Sequence, residues 1–338
     1  MNKKTQVGIF GLNYENNLEN FYIEALKKLN YKNIIFLHNN FLFYIFCFLQ
    51  KINNKFLFKI FNIFQGLKFK KFIQKNNIKI LIVFKGIELS KNIYELIKKE
   101  KIILINIYTD NPFNFKSSAT TSKNIISNIK NYDIFCIWSE ELKKKLEKKF
   151  KKTKFFYLPF GYSKNNHHLK KKKIVSKKIS FVGAYDKNRY EILKKINFKV
   201  DIYGNDWPKF KNHTVNKYIK NKELIDVVAK SEISLNILRK QNYTSHNMKT
   251  FEIPSMGGLM LTTRSKEQNK FFPENNASFM FDSIKDLNKK IIYIFKNKNK
   301  SKKIRQKGYS LSVKHSYEQR TKSLIKYINK YEKLYSSR

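Results

Sequence analysis

Glycine, proline and cysteine are scarce in this sequence of 338 residues, which contains 10 Gly, 5 Pro and 2 Cys. Cys47 and Cys136 lie in apolar runs without metal-ligand spacing, so we expect reduced core side chains rather than a disulfide or a metal site. There is neither a Gly-x-Gly-x-x-Gly motif nor a Gly-Lys-Ser/Thr phosphate loop. These absences weigh against a dinucleotide-dependent dehydrogenase and a P-loop nucleotidase.

Acidic residues are also few, with 25 Asp and Glu against 70 Lys and Arg, which gives a formal net charge of +45. Two interpretations are open. In the first, an A/T-rich genome, which also favours Asn, Ile and Phe, has placed lysine at solvated positions throughout the chain. In the second, the charge binds nucleic acid or an anionic membrane. Because the lysines are spread along the chain rather than clustered, the first interpretation is favoured, and no nucleic-acid partner is expected.

One run, residues 41–49 (FLFYIFCFL), is wholly apolar or aromatic. It is too short to span a bilayer, which needs about 20 residues. Lys51, Lys55 and Lys59 follow it, interleaved with further Phe, Leu and Ile. The segment 41–61 is therefore a buried helix pair or an interfacial membrane anchor. We expect a cytoplasmic protein, with peripheral contact to an anionic membrane as an open alternative.

Strand-like and helix-like segments alternate in two series. Runs such as 78–84, 102–107 and 134–138 are nearly continuously apolar, which is typical of parallel strands buried on both faces. The pattern predicts an α/β protein with a first doubly wound, Rossmann-like domain over 1–162 and a second over 179–316. The polar, lysine-rich residues 163–178 between them are interpreted as a linker, with His167 and His168 as solvated loop residues. Ligands of such sheets bind at the carboxyl ends of the strands, here expected in an interdomain cleft.

The most informative stretch is 239–272. A strand ends near Leu238, and a helix is predicted to begin near Asn247 and Met248. Its free N–H groups and dipole favour an anion, and Lys249 and Glu252 share one helix face. This is the layout of a nucleoside diphosphate site, with pyrophosphate at the helix tip and ribose hydroxyls at Glu252.

Other candidates follow the predicted strands. In the second domain, Gly183, Arg189, Gly204 and Arg239 end strands or follow strand turns, and the arginines suit phosphate. In the first domain, Gly11 and Asn13 lie in the loop after the first strand, which is expected to face the donor across the cleft. The other candidate is Asp110 in a Tyr-Thr-Asp-Asn-Pro turn. Asp110 is interpreted as an acceptor-binding or catalytic group. A plain turn is the alternative for Asp110, and surface charge is the alternative for each arginine.

Residues 252–258 (EIPSMGG) resemble the signature of retaining GT-B glycosyltransferases. More closely, the chain resembles the CgeB-like, spore-maturation-protein glycosyltransferases over about residues 100–325. The markers of this resemblance occur in order at 133–141 (DIFCIWSEE), 157–161 (YLPFG), 181–189 (FVGAYDKNR), 202–207 (IYGNDW), 234–239 (SLNILR), 247–252 (NMKTFE), 271–273 (FFP) and 315–317 (HSY). Two positions depart from the related patterns: Thr244 stands where a first glutamate would be, and Lys249 stands where an arginine is common.

The resemblance implies the GT-B fold and transfer of a sugar from a nucleotide-sugar donor to a hydroxyl of a glycan, lipid-linked or protein acceptor. Retention at the anomeric carbon, a role in cell-surface glycan synthesis and a final helix, 317–338, that crosses back to the first domain also follow only from the resemblance. No Asp-x-Asp stands beside a strand, so we expect neither a metal nor a cofactor, with Asp110 and Glu252 as the catalytic candidates. The alternatives are a non-enzymatic nucleic-acid-binding protein and a sugar-nucleotide epimerase of the same fold.

Overall fold

The computed structural model describes residues 1–113, 123–169 and 176–336. They form two compact units. Unit 1 contains Met1–Pro159 and Thr321–Arg338, and unit 2 contains Phe160–Arg320. The chain therefore returns to unit 1 within its last helix, and each unit has its own sheet.

Unit 1 is a parallel sheet with helices between the strands. Its strands are β1 (Val7–Gly11), β2 (Ile34–His38), β3 (Ile80–Phe84), β4 (Ile103–Tyr108), β5 (Ile134–Ile137) and β6 (Lys154–Tyr157), in the order β2-β1-β3-β4-β5-β6. The helices are α1 (Leu18–Lys28), α2 (Asn40–Ile52), α3 (Lys55–Asn76), α4 (Lys91–Lys99), α5 (Lys123–Asn128) and α6 (Glu140–Lys149). All residues of β1, β3 and β5 are buried, as expected of strands covered on both faces.

Unit 2 repeats this architecture. Its strands are β7 (Ser176–Val182), β8 (Val200–Tyr203), β9 (Thr214–Asn216), β10 (Ser231–Asn236), β11 (Met260–Thr263) and β12 (Phe279–Phe281), in the order β12-β11-β10-β7-β8-β9. The helices are α7 (Lys187–Leu193), α8 (Asn221–Lys230), α9 (Lys249–Ser255), α10 (Lys266–Phe271), α11 (Ile284–Lys296) and α12 (Lys298–Ser312). The last helix, α13 (Tyr317–Ser336), begins in unit 2 and continues in unit 1. All strand pairs are parallel, so the predicted fold class of two doubly wound α/β domains is confirmed.

The last helix, α13, packs on the sheet of unit 1 after Arg320. Leu324 and Ile328 are buried, and the ring of Tyr327 stacks on that of Phe156 in β6, with 4.4 Å between the ring centroids. The Tyr331 hydroxyl donates a hydrogen bond of 2.8 Å to the Asp133 carboxylate at the start of β5. The buried stripe of α13 therefore runs through Leu324 and Ile328, whereas Ile325 is half-buried.

Three details differ from the sequence interpretation. The short strands β9 and β12 were not predicted, because three residues are too few to show a period. The predicted linker is structured at both ends, since Ser163 is buried and Ser176–Lys178 begin β7; its residues 170–175 lie outside the described part of the chain. The interpretation of His167 as solvated was wrong: its side chain is buried. Its backbone is held as well, since its carbonyl accepts a hydrogen bond of 2.6 Å from the Ser255 hydroxyl.

Two further findings bear on the compositional expectations. Both cysteines are free, with Cys136 buried and Cys47 half-buried. In the described ranges, no helix combines the length and the apolar character needed to cross a bilayer.

Candidate functional site

Glu252 and Lys249 form a buried ion pair at the start of α9, just beyond the carboxyl end of β10. The Lys249 ammonium lies 2.6 Å from Glu252 Oε2, and His167 Nδ1 lies 3.9 Å from Glu252 Oε1. The Glu252 side chain is 4% exposed and that of Lys249 is 24% exposed. Their three-residue spacing on one helical turn brings them together, as the sequence predicted.

Burial and charge act in opposite directions on this carboxylate. Burial raises the pKa of Glu252, but Lys249 and His167 outweigh it, so the pKa is lowered and the group is ionised at neutral pH. Burial also lowers the pKa of His167, and the Ser163 N–H donates to its Nδ1 at 3.3 Å. The imidazole is therefore neutral near pH 7, and Lys249 supplies the balancing charge.

The residues before α9 are fixed by a buried polar network. Asn247 Oδ1 accepts a hydrogen bond of 3.0 Å from the Thr250 N–H, which makes Asn247 the capping side chain, and Asn247 Nδ2 donates to Asn236 Oδ1 at 2.8 Å. Gln268 Oε1 accepts from Thr250 Oγ1 and Asn236 Nδ2. In the described residues, the N–H groups of Met248 and Lys249 have no acceptor. The helix start therefore presents free donors on a rigid base.

Gly183 and Gly204 end the neighbouring strands β7 and β8 and touch each other. A Cβ on Gly204 would lie 2.2 Å from the Gly183 carbonyl oxygen, so only glycine fits there. The same carbonyl accepts a hydrogen bond of 2.8 Å from the Trp207 indole. The two glycines thus allow close packing of two strand ends.

Arg189 and Arg239 lie near the same edge but differ in exposure. Arg189 is 9% exposed; its Nε donates to the Ile237 carbonyl at 2.9 Å and its Nη1 to the Ala184 carbonyl at 3.2 Å. Burial first, and then the charge of Arg239, lower the pKa of Arg189 to about 10. Arg239 is exposed and has no acidic partner in the described part of the chain. Asp186 partly opposes the lowering of the Arg189 pKa, and the two neighbouring guanidinium groups favour an anion at this edge.

A buried group next to α9 was missed by the sequence interpretation. His246 is fully buried; its Nδ1 lies 3.0 Å from Glu267 Oε2, and its Nε2 accepts from the Phe160 N–H at 3.2 Å. The Ser245 hydroxyl donates to the same Glu267 oxygen at 2.7 Å. This pairing fixes the imidazole as the Nδ1–H tautomer and holds residue 160 against the loop before α9. No local motif signals it, because Phe160 and Glu267 are distant in sequence.

In unit 1, the loop after β1 is fixed by side chains of α1 and α2. A Cβ on Gly11 would lie 2.7 Å from the Cγ of Glu19, and Glu19 Oε1 accepts a hydrogen bond of 3.1 Å from the Leu12 N–H. The Asn13 N–H donates to Asn40 Oδ1 at 2.7 Å. Gly11 therefore leaves room for the glutamate that holds the loop.

Asp110, after β4, is paired with Lys85, which lies just after β3. The Lys85 ammonium is 3.1 Å from Asp110 Oδ2, and the carboxylate is 17% exposed. Lys85 also has a positive φ of 58°, and its carbonyl accepts a hydrogen bond of 3.0 Å from Asn106 Nδ2. The Asp-Asn-Pro segment is thus tied to the carboxyl edge of the sheet.

Glu88 lies at this same edge and was not identified from the sequence. It is 4% exposed, its Oε1 accepts from Asn39 Nδ2 at 2.7 Å, and its Oε2 has no hydrogen-bond partner in the described residues. Glu88 lies in the wall of a cavity of about 520 Å³ together with Phe46, Phe58 and Ser90. Burial raises the pKa of Glu88 to about 7, against the opposing effects of Asn39 and Lys85. The signal in the sequence was a single acid after a strongly apolar strand.

The structure therefore groups the candidates in two sets. The candidates in unit 1 are Gly11, Asn13 and Asp110. Those in unit 2 are Gly183, Arg189, Gly204, Arg239, Asn247, Met248, Lys249 and Glu252. Across the described ranges, no three His, Cys, Asp or Glu side chains converge closely enough to hold a metal ion.

Comparison with known proteins gives a match for most of unit 2. Residues 187–326 match a family model described as "Glycosyl transferase-like". This range contains Arg189, Gly204, Arg239 and the Asn247–Glu252 segment, and it excludes Gly183 and nearly all of unit 1. A search of the curated proteins found no match.

Solved structures match most or all of the chain at low identity. Sucrose-phosphate synthase from Thermosynechococcus elongatus has a TM-score of 0.69 and 8% identity, with 99% of this chain and 100% of that chain covered. A glycosyltransferase from Rickettsia africae has a TM-score of 0.66 and 14% identity, with 98% of each chain covered. The pneumococcal O-GlcNAc transferase GtfA, solved with UDP and GlcNAc, has a TM-score of 0.52 and 13% identity over 77% of this chain.

This chain spans 59% of the length of GtfA, and the likeness at such identities concerns the fold. Two α/β units with six-stranded parallel sheets, similar over the full length to a Rickettsia glycosyltransferase, are the GT-B architecture that the sequence predicted. The chain thus has the GT-B glycosyltransferase fold, with a glycosyl transferase-like second unit.

Proposed function

We propose that this protein is a glycosyltransferase that moves a sugar from a nucleotide-sugar donor to a hydroxyl acceptor. The observation that carries the proposal is the buried Lys249–Glu252 pair, at a strand's carboxyl end and within the segment that matches glycosyl transferase-like proteins. An ionised, almost fully buried carboxylate with two acceptor oxygens suits a pair of ribose hydroxyls.

The donor would bind along unit 2 from Glu252 towards the strand ends. Glu252 would accept hydrogen bonds from the ribose, while Lys249 and the free N–H groups of Met248 and Lys249 would meet the phosphates. Arg239, exposed and without an acidic partner, would stabilise the charge that develops on the departing nucleoside diphosphate. Arg189 would act mainly by holding the strand ends through its carbonyl bonds and by adding positive potential.

The acceptor would meet unit 1, where Asp110 and Glu88 lie at the carboxyl edge of the sheet. A carboxyl group with a pKa of about 7 can accept or hold a proton at neutral pH, and one Glu88 oxygen has no partner in the described residues. We assign Asp110, which is paired with Lys85, to acceptor binding. We assign Glu88 to accepting or holding a proton at the same edge of the sheet. Retention at the anomeric carbon, a CgeB-like subfamily and a role in cell-surface glycan synthesis rest on the sequence resemblance.

We further propose that the reaction needs no divalent metal, because lysine, arginine and helix N–H groups supply the positive charge at the donor site. Calorimetric titration with UDP, GDP, ADP and CDP, each with and without EDTA, tests donor binding. We expect one nucleoside diphosphate to bind more tightly than the others, with unchanged affinity in EDTA. Loss of binding in EDTA would overturn the metal-independent account, and no binding of any diphosphate would overturn the donor site.

A sugar-nucleotide epimerase is distinguished by its products. The protein is incubated, without acceptor, with sugars linked to the nucleoside diphosphate that it binds most tightly. Interconversion of the sugar at unchanged nucleotide would indicate an epimerase, whereas slow release of nucleoside diphosphate and free sugar is expected of a transferase that uses water in place of its acceptor.

A further inference from the structure

Helices α2 and α3 each carry an apolar stripe that faces solvent. In α2 the stripe is Phe41, Tyr44, Phe48 and Ile52; in α3 it is Phe56, Ile60, Ile63, Phe64 and Leu67, and all of these side chains are exposed. Steps of three and four residues place each set on one side of its helix. More than half of the large apolar side chains exposed in the described part of the chain lie in these two helices.

These stripes are additional to the faces that pack on unit 1. In α3, the buried residues Phe61, Gln65, Phe69 and Phe72 lie on the opposite side from the exposed stripe. In α2, Leu42, Phe43, Phe46 and Leu49 are buried. The two earlier interpretations of this segment, a buried helix pair and an interfacial anchor, are therefore compatible: one side of each helix packs inward and another side is exposed. On the exposed side of α2, the Tyr44 hydroxyl accepts a hydrogen bond of 2.6 Å from that of Tyr14.

The charged residues within the segment that forms α2 and α3 have one sign. Residues 39–79 contain no Asp or Glu and eight lysines: Lys51, Lys55, Lys59, Lys68, Lys70, Lys71, Lys75 and Lys79. By helical spacing, Lys59, Lys68 and Lys70 lie beside the exposed stripe of α3, and Lys71 follows the end of the stripe on the same side. An apolar stripe bordered by cations is the arrangement of helices that lie in the surface of an anionic bilayer.

We propose that α2 and α3 bind the surface of an anionic lipid membrane. Their exposed stripes enter the boundary between headgroups and acyl chains, and the flanking lysines contact the anionic headgroups. The two helices have 13 and 22 residues and leave Lys51, Lys55 and Lys59 near their junction, so they lie on the membrane and do not cross it. A second copy of the chain is a poorer partner, because it would bring the same unpaired lysines against these ones.

The proposal does not depend on the donor site, and vesicle flotation tests it directly. The full chain is mixed with vesicles of phosphatidylcholine alone or with 30% phosphatidylglycerol, at low and high salt. We expect flotation with the phosphatidylglycerol vesicles at low salt, weakened at high salt. Absence from the anionic vesicles at low salt would overturn the proposal.

Paired variants separate the two contributions. Ile60→Ser with Phe64→Ser removes apolar surface and should weaken vesicle binding by about tenfold or more. Lys55→Gln with Lys59→Gln should weaken it by roughly 30-fold, since each lysine near an anionic surface contributes about fivefold. Nucleoside diphosphate affinity, measured on the same samples, should not change in either variant.

Matched controls lie in unit 2. Ile292 in α11 and the pair Lys302 and Lys303 in α12 are also exposed, so Ile292→Ser and Lys302→Gln with Lys303→Gln should leave vesicle binding unchanged. If the control lysine pair weakens vesicle binding as much as Lys55→Gln with Lys59→Gln, binding depends on the net charge of the chain, and the assignment to α2 and α3 is overturned. Sedimentation showing a dimer that Ile60→Ser with Phe64→Ser converts to monomers, without vesicle binding, would assign the stripes to self-association instead.

Discussion

Replacing Glu252 with glutamine tests whether the buried pair in α9 serves a ligand, the fold or both. The substitution keeps the shape and removes the charge that Lys249 contacts at 2.6 Å. A hydrogen bond to a charged partner contributes about 1.5–3 kcal/mol. Breaking a fully buried pair costs more, but the Lys249 side chain is 24% exposed and its ammonium can regain water. We therefore expect a loss of about 1.5–3 kcal/mol in the unfolding free energy of unit 2.

The ligand effect is measured separately. If Glu252 binds ribose hydroxyls, Glu252→Gln should weaken nucleoside diphosphate binding by roughly tenfold or more, at about 1.4 kcal/mol per decade. Calorimetry gives this value. Urea unfolding is followed in a Trp138→Phe background, where Trp207 is the one remaining tryptophan of the sequence and reports on unit 2. Glu223→Gln, at an exposed position in the first turn of α8, is the matched control and should change neither quantity.

The pH dependence has a defined sign. Because the pKa of Glu252 is lowered in the folded protein, its carboxylate stabilises unit 2 above the ordinary pKa near 4.5, and this contribution is lost as the pH falls through the folded pKa. The stability difference between the wild type and Glu252→Gln should shrink below pH 4.5. A stability loss at pH 7 with unchanged nucleotide affinity would refute the site assignment and leave Glu252 as a structural partner of Lys249.

Two further predictions concern unit 1. Burial raises the pKa of Glu88 to about 7, so the stability that its protonated carboxyl contributes is fully present below pH 4.5 and is lost as the pH rises through 7. Glu88→Gln should remove this pH-dependent loss. In urea unfolding at pH 8, the variant should be more stable than the wild type by roughly 3 kcal/mol. Equal pH profiles would contradict the buried, protonated carboxyl. Ile328→Ala should lower the unfolding free energy of unit 1 by roughly 2–5 kcal/mol, because Ile328 is fully buried in α13. Ile325→Ala, at a half-buried position, should lower it by less, and equal losses would contradict the observed packing of the helix.

Much of the fold follows from local patterns in the sequence. The continuous apolar runs 78–84, 102–107 and 134–138 become β3, β4 and β5, because each run extends over five or more residues. The Lys249–Glu252 pair was predictable because one helical turn brings its members together. Strands β9 and β12 were not, because neighbouring strands rather than their own three residues determine them.

The residues that the sequence did not identify share a different property: their environment comes from distant segments. Glu88 depends on Asn39 and Gln65, His246 on Phe160 and Glu267, and His167 on Ser255. Each is a buried polar group that has a hydrogen-bond partner more than 20 residues away in the sequence. The same reasoning explains why the exposed stripes of α2 and α3 could not be resolved from sequence. An apolar residue at helical spacing predicts a face, but only the packed structure shows which faces have a partner. In α3 one face packs inward and the face beside the lysines is exposed, which is the arrangement that the proposed binding to an anionic lipid surface requires.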